Sequence, residues 1–383
     1  MARHFLLVLV LTAAAVLATA AQLPSPPDVK GSIDRLGNFD YATRMNAARV
    51  LRRVPAPQAV PALVQAARTH TDQFVRYRAL VLVTAFNDPL APDLMRSLLP
   101  DRNDRVREVA YRWFAARPEP SMAPTLLAAL QTEGAEFVRP ALVAALAALG
   151  RDPQVQRALV AEAGRGFDFF RIAVIEALGE RRAAYALDAV IAAAKLDGPI
   201  QDDAVLALGR IGGARAAEAV AAIKPSGPEL IASVHGALCM LGKDCARHVK
   251  ALVDIAANPQ ANSQAARAAI AALGAIAILP EPSALTYLAG LARSSAAGIP
   301  DAAGVALSVA AVRAPVPMLA WLDDLDEAAR EAAYVLLRDG FARLEEDFAE
   351  EQFFAAARAA YWNAPEGSPA RTRIAALIDK LEF

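Results

Sequence analysis

A short phrase that ends in an arginine returns at almost constant spacing through this chain of 383 residues. The four clearest copies end at Arg76, Arg107, Arg139 and Arg171, which are 31, 32 and 32 residues apart. A period in this range is typical of repeat arrays, whose small helical units bury their apolar faces only against each other. The period therefore predicts a repeat array and overrides the two or three globular domains that length alone suggests.

Each copy of the phrase begins a predicted helix. Counted from the arginine, positions −1, +3, +4 and +7 are apolar in all four copies, and this spacing forms one continuous stripe on an α-helix. Pro61, Pro92 and Pro124 are expected in the first turn of a second, shorter helix. The sequence thus predicts an all-α fold, an elongated α-solenoid of about ten antiparallel helix pairs and on the order of 100 Å long.

The phrase Phe137-Val138-Arg139 and the Ala-Leu-Gly triplets that end at Gly179, Gly209 and Gly274 resemble the HEAT family. The resemblance is strongest to its phycobilisome-lyase-like subclass and extends roughly from residue 40 to residue 338. It implies a superhelix in which the second helices of the pairs line the concave face. The motif specifies a fold and says nothing about a ligand.

Seven arginines occupy or continue the recurring position. A cation near a helix N-terminus is opposed by the helix dipole, so its recurrence implies a partner. We expect this partner to be the Asp of the same or an adjacent unit, in a ladder of ion pairs that fixes the stacking angle. The alternative is an exposed ridge that binds anions. The seven residues are Arg44, Arg76, Arg107, Arg139, Arg171, Arg267 and Arg330.

The chain is expected to have four regions. Residues 1–21 combine an early Arg3, an uncharged apolar core and small residues at 18–20, which predict a secretory signal peptide; an uncleaved anchor is the alternative. Residues 22–39 are expected to be a Pro-rich linker and N-terminal cap, 40–338 a HEAT-like array, and 339–383 a C-terminal helical cap. We therefore expect an exported protein, periplasmic or extracellular, that leaves the membrane after cleavage.

Charge is balanced overall but uneven along the chain. The net charge of −1 argues against a nucleic-acid-binding protein. Residues 43–117 hold thirteen Arg and six acidic residues, whereas residues 323–351 hold eleven acidic residues and three Arg. This distribution has two interpretations: the basic first third binds acidic partners, or the charges simply form a solvated surface.

Both cysteines and two histidines fall within one short stretch: His235, Cys239, Cys245 and His248. A disulfide between Cys239 and Cys245 suits an exported protein with two cysteines. A zinc site formed by all four residues is a second possibility. Buried free thiols are the third.

The sequence contains no phosphate-binding loop, no nucleophile elbow and no His-Glu-x-x-His motif. Two hypotheses follow. The first is an exported, non-catalytic scaffold that binds a protein or peptide along its groove, with no cofactor. The second, implied by the subclass resemblance, is a lyase or chaperone-like enzyme of the same fold that acts on a tetrapyrrole or a bound protein.

The candidate partner-binding residues lie on the second helices, at positions that point away from the apolar stripe. A basic start and a tryptophan near the acidic end could anchor a partner there. A solvated groove without a ligand is the alternative. The candidates are Gln65, Arg68, Arg96, Gln131, Lys195 and Trp321.

Overall fold

The computed structural model describes residues 28–259, 262–277, 282–344 and 347–381, apart from the side chains of residues 282 and 283. These residues form 22 α-helices and three short 3-10 turns, and no strand occurs among them. The predicted signal peptide and residues 22–27 lie outside the described residues. None of the described helices has the length and apolar character needed to cross a membrane. The all-α solenoid prediction is confirmed.

After α1, the helices follow one another as ten helix-turn-helix pairs and a final helix. Even numbers from α2 to α20 are first helices, and odd numbers are second helices. The bounds are α1 Val29–Arg35, α2 Tyr41–Arg53, α3 Ala56–Thr69, α4 Gln73–Val83, α5 Ala91–Leu98, α6 Asp104–Ala116, α7 Ala123–Thr132, α8 Arg139–Ala148, α9 Pro153–Ala163, α10 Asp168–Glu180, α11 Leu187–Ala193, α12 Pro199–Ile211, α13 Ala214–Ala221, α14 Pro228–Met240, α15 Cys245–Ala256, α16 Ser263–Ile276, α17 Pro282–Gly290, α18 Ile299–Arg313, α19 Pro315–Asp324, α20 Glu327–Leu344, α21 Asp347–Asn363 and α22 Pro369–Leu381.

Local chemistry explains most of the helix starts. The Asp72 carboxylate caps α4 by accepting a hydrogen bond from the Phe74 N–H at 2.7 Å. Pro92 and Pro124 lie in the first turns of α5 and α7, as predicted. Pro61 does not, because α3 begins at Ala56 and includes Pro61 in its interior. The prediction for Pro61 was wrong because α3 extends five residues further back.

From α4 to α20 the first helices pack on one another, whereas the second helices barely touch each other. Glycines of the Ala-Leu-Gly triplets allow neighbouring first helices to approach this closely. A Cβ at Gly209 would lie 2.7 Å from Ala237 Cα, and one at Gly179 would lie 2.9 Å from Ala207 Cα. The more closely spaced layer of a curved stack is its inner layer. The first helices therefore line the concave face, and the expectation that the second helices do so was wrong.

The two ends of the array meet. Helix α21 packs against α4, and Phe348 belongs to the same apolar core as the first repeats. Tyr77 Oη donates to Asp347 Oδ2 at 2.7 Å, and Gln352 Nε2 donates to Thr84 Oγ1 at 3.0 Å. We call this contact between α21 and helices α2 and α4 the closure. The array is closed rather than elongated, and that part of the sequence-based prediction was wrong.

Ends of the first helices also approach each other inside the array. Arg313 Nη2 at the end of α18 lies 2.8 Å from Glu180 Oε1 at the end of α10, four first helices away. Arg181 Nη2, just after α10, donates to the Ala115 carbonyl of α6 at 2.6 Å. These contacts require strong curvature with the first helices facing inward.

Candidate binding edge of the array

Exposed phenylalanines recur where the first helices begin. Phe74, Phe137 and Phe169 stand two positions before the recurring arginine, and their exposed fractions are 45%, 39% and 58%. Position −2 lies on the opposite side of a helix from the apolar stripe, so these rings do not enter the core. Phe39 and Phe167 are still more exposed. We call these five residues the aromatic edge.

Arginines lie against several of these rings. The copy of the phrase in α6 has Arg105 in place of the phenylalanine, and its guanidinium lies 4.6 Å from the centroid of the Phe137 ring. Arg78 lies 5.5 Å from the centroid of Phe74 in the same way. Guanidinium groups attract the faces of aromatic rings, so such pairs hold both side chains in place. The edge therefore alternates apolar rings with cations.

Two adjacent clefts open beside the edge. The first, of about 500 Å³, is lined by Phe167, Phe169 and Phe170 together with Arg139 and Arg165. The Arg139 guanidinium lies 3.9 Å from the centroid of the Phe170 ring. Its Nε atom is buried and has no hydrogen-bond partner within the described part of the chain. An unpartnered buried donor in an apolar cleft favours a ligand that brings an acceptor.

The second cleft, of about 790 Å³, lies one unit earlier and shares Gly134 with the first. The Arg107 and Glu133 side chains in its wall form a bidentate ion pair, with both N–O distances 2.8 Å. Hydrogen bonding from Arg107 lowers the pKa of the Glu133 carboxyl. Burial, with a further contribution from Glu133, raises the pKa of Tyr111 in the same cleft to about 12. Both groups therefore hold fixed protonation states near neutral pH.

The recurring arginines cap the preceding second helix. Arg76 Nε donates to the Ala67 carbonyl at 3.1 Å, and Arg171 Nε donates to the Ala163 carbonyl at 3.2 Å. Arg330 donates to Leu322, Asp323 and Leu325 carbonyls, and Arg139 donates to the Glu133 carbonyl at 3.2 Å. Free carbonyls at a helix C-terminus carry the negative end of the dipole and favour a cation. The main partners of these arginines are therefore backbone carbonyls, which the sequence did not predict.

The acidic partners also differ from those expected. Arg171 pairs with Asp168 of its own unit at 3.0 Å, as predicted. Arg76 pairs with Asp101 and Arg107 with Glu133, both in the loops that follow the next second helices. Asp72, four residues before Arg76 in the same unit, caps α4 instead of pairing with Arg76. Arg44 donates to the carbonyls of Asn38 and Phe39, and Arg267 lies beside Gly298.

The cysteine–histidine cluster forms at the turn between α14 and α15. The Sγ atoms of Cys239 and Cys245 lie at disulfide distance, 1.86 Å apart, with Cα atoms 4.1 Å apart. His235 Nδ1 and His248 Nδ1 lie 2.7 Å apart, and burial lowers the pKa of both imidazoles. This geometry fits the first of the three possibilities. Residues 28–259, 262–277, 282–344 and 347–381 contain no group of three or more His, Cys, Asp or Glu that could hold a metal ion.

The candidate partner-binding residues lie on the outer layer. Gln65, Arg68 and Gln131 are exposed on second helices, Lys195 is exposed just after α11, and Arg96 is exposed and paired with Glu119 at 2.7 Å. Trp321 is only 7% exposed, and its Nε1 donates to Thr286 Oγ1 at 3.3 Å. Trp321 belongs to the apolar core of the second half, so the prediction that it anchors a partner was wrong.

Comparison with known proteins identifies the start of the array. Residues 29–112 match the family described as HEAT repeats. No curated protein sequence matches the chain significantly.

Solved structures with a similar arrangement of helices include importin beta and human deoxyhypusine hydroxylase. Importin beta is 13% identical with a TM-score of 0.40, and the match covers 91% of this chain and 59% of that one. The hydroxylase, solved with glycerol, is 22% identical with a TM-score of 0.29, covering 69% and 98%. The chain thus spans 59% of importin beta. These scores are too low to assign a shared ligand or activity.

Proposed function

We propose that this protein is an exported, non-catalytic scaffold that binds a protein or peptide partner along its aromatic edge. The recurrence of exposed phenylalanine at position −2 of the helical phrase carries the proposal. Phe74, Phe137 and Phe169 contribute nothing to the core stripe, and they occur in three of its four clearest copies. Exposed apolar side chains that cluster, as Phe167 and Phe169 do in one cleft, are typical of interaction surfaces.

The charge of this region favours an acidic partner. Arginines accompany the edge, since Arg78, Arg105, Arg139 and Arg165 lie beside the rings or in the adjoining cleft. Aromatic residues and arginine are the side chains most enriched at the energetic centres of interfaces. A partner segment that alternates apolar and acidic residues would satisfy both kinds of group.

The repeat geometry sets the spacing of such a partner. Neighbouring helices lie about 8–10 Å apart, and an extended peptide advances about 3.3 Å per residue. An apolar side chain at roughly every third residue of an extended segment would therefore meet successive units. Acidic residues between them would face the arginines.

A displayed library of random peptides, selected against the purified chain without its first 21 residues, tests the proposal. We expect selected peptides to be acidic with apolar residues about three positions apart. Phe137→Ser combined with Phe169→Ser should weaken their binding at least about tenfold, as expected for loss of about 1.4 kcal/mol. Circular dichroism should show an unchanged helical melt, since both rings are exposed.

Arg68→Glu combined with Lys195→Glu, at exposed positions outside both clefts, is the matched control for the outer layer. These substitutions should leave peptide binding unchanged if the edge is the binding surface. Loss of binding in this control, with full binding in the phenylalanine variant, would place the site on the outer layer and refute the proposed edge. Full binding in both variants would refute it equally.

Export is tested separately by the mass of the mature N-terminus in the producing cell. Cleavage after Ala20 or Ala21 supports export. An intact Met1 in soluble cytoplasmic protein contradicts it.

A further inference from the structure

A cavity of about 500 Å³ lies at the closure, on the inner side of the contact between the two ends of the array. Its walls come from α2 and α4 at one end of the chain and from α20 and α21 at the other. The cavity therefore exists only when the array is closed. This cavity shares no lining residue with the cleft beside Phe167 and Phe169.

The described lining of this cavity carries more cations than anions. Five arginines line it: Arg44, Arg52, Arg78, Arg105 and Arg338. The three carboxylates are those of Asp347, Glu350 and Glu351. Asp347 accepts the Tyr77 hydroxyl, and Glu351 is held between Arg52 and Arg358. Arg105 and Arg338 are themselves paired, with Glu108 and Asp339, so Arg44 and Arg78 are the lining arginines that make no ion pair with a described carboxylate.

Two of the guanidinium groups have a hydrogen-bond donor or a charge without a matching partner in the described part of the chain. Arg52 has a side chain only 7% exposed, and its Nη1 is buried without a hydrogen-bond partner in the part of the chain described. Arg78 donates from Nη1 to the Leu36 carbonyl at 2.6 Å and makes no ion pair with a described carboxylate. Burial, and then the nearby Arg44, lower the pKa of Arg78. A buried donor and a desolvated cation are both stabilised when an anion enters.

Aromatic rings supply the remaining surface. Tyr41, Phe74, Tyr77, Phe341 and Phe354 line the cavity. The Arg52 guanidinium lies 5.3 Å from the centroid of Phe354, and that of Arg44 lies 5.5 Å from the centroid of Tyr41. Small-molecule sites typically combine such apolar walls with a few convergent charged groups.

We propose that the closure cavity binds an organic anion with an aromatic or otherwise apolar body, whose carboxylate or phosphate meets Arg52 and Arg78. Because residues of both chain ends line the cavity, the bound ligand also holds the closure together. The cavity shares Phe74, Arg78 and Arg105 with the aromatic edge but not Phe137 or Phe169, so the phenylalanine variant of the peptide test leaves the cavity lining intact.

Calorimetric titration with 2-naphthoate and phenyl phosphate tests the proposal on the full chain without its first 21 residues. Neutral 2-naphthamide and phenol are the matched controls. We expect saturable one-site binding of at least one anion at micromolar to millimolar concentrations and at least about tenfold weaker binding of its neutral counterpart. The bound anion should also raise the melting temperature.

Arg78→Met should weaken anion binding about tenfold while Arg68→Met, which removes an exposed arginine outside the cavity, leaves it unchanged. If Arg78→Met fails to fold, Arg338→Met, at an exposed lining position, is expected to weaken the affinity in the same direction. Equal binding of acid and amide, no saturable binding of either anion, or full affinity in the folded cavity variant would overturn the proposal.

Discussion

Arg52 on α2 and Glu351 on α21 form a bidentate ion pair across 299 residues of sequence. The N–O distances are 2.9 and 2.6 Å, and the two side chains are 7% and 1% exposed. Arg358 Nη2 lies 3.0 Å from the other oxygen of Glu351. One buried carboxylate thus joins the first repeats to the last helices.

Replacement of this carboxylate should weaken the closure. Glu351→Gln removes the buried negative charge shared by Arg52 and Arg358, which we expect to lower the free energy of unfolding by about 3 kcal/mol. Glu331→Gln, which breaks an exposed pair with Lys380, should cost less than about 1 kcal/mol. Urea unfolding of the two variants measures the difference, and equal costs would contradict a role for Glu351 in joining the ends.

The contact between α18 and α20 depends on glycine. A Cβ at Gly340 would collide with the Gly304 carbonyl oxygen and Ser308 Oγ. We expect Gly340→Ala to cost about 1–3 kcal/mol because the helices must separate. Gly134→Ala is the matched control, since no atom lies within 4 Å of its added methyl group. Thermal melts that show the same stability for both variants would contradict this packing.

The Cys239–Cys245 bond is expected to form in an oxidising compartment. Thiol titration of the denatured, unreduced protein should find no free thiol, and two free thiols would exclude the bond. Closing so short a loop contributes about 2 kcal/mol by the chain-entropy estimate. Cys239→Ser combined with Cys245→Ser should therefore unfold at lower urea concentration than the oxidised protein and match the reduced protein.

Asp203 should make stability depend on pH. Burial, and then the nearby Glu176 and Asp202, raise the pKa of its carboxyl from 3.8 to about 6, against an opposing effect of Arg210. A raised folded-state pKa means that this group stabilises the fold below pH 4 and loses that contribution as the pH rises through about 6.

Asp203→Asn should therefore raise the melting temperature relative to the natural protein at pH 8 and change it less at pH 5. Because the variant is compared with the natural protein at the same pH, the effects of all other titrating groups on the melting temperature cancel. The exposed Asp379→Asn serves as the control and should show no such pH-dependent difference. A constant offset for Asp203→Asn across this pH range would show that its carboxyl is not buried in this way.

The sequence predicted the features that repeat and missed those that do not. Spacing of the phrase around Arg76 and Arg139 predicted the helices and their apolar stripe. The closure, which includes the Arg52–Glu351 pair, joins distant segments through contacts that do not repeat, so no periodic pattern encodes it. The phycobilisome-lyase-like resemblance and the four region boundaries stay predictions.

The binding surface was missed for a different reason. Phe74, Phe137 and Phe169 recur at a position outside the stripe, and that mismatch could have marked them as exposed. Assignment of the concave face followed the family expectation for second helices. The glycines at 179 and 209 bring first helices into contact, which indicates that the first helices line the concave face.

Small-angle X-ray scattering of the dilute protein without its first 21 residues tests the closed array most directly. A compact chain of this length should have a radius of gyration of about 21 Å. An open array of ten layers, on the order of 100 Å long, would give roughly 30 Å. A value near the smaller figure, rising in Glu351→Gln, is the expected result. A value near the larger figure in the natural protein would contradict the closure.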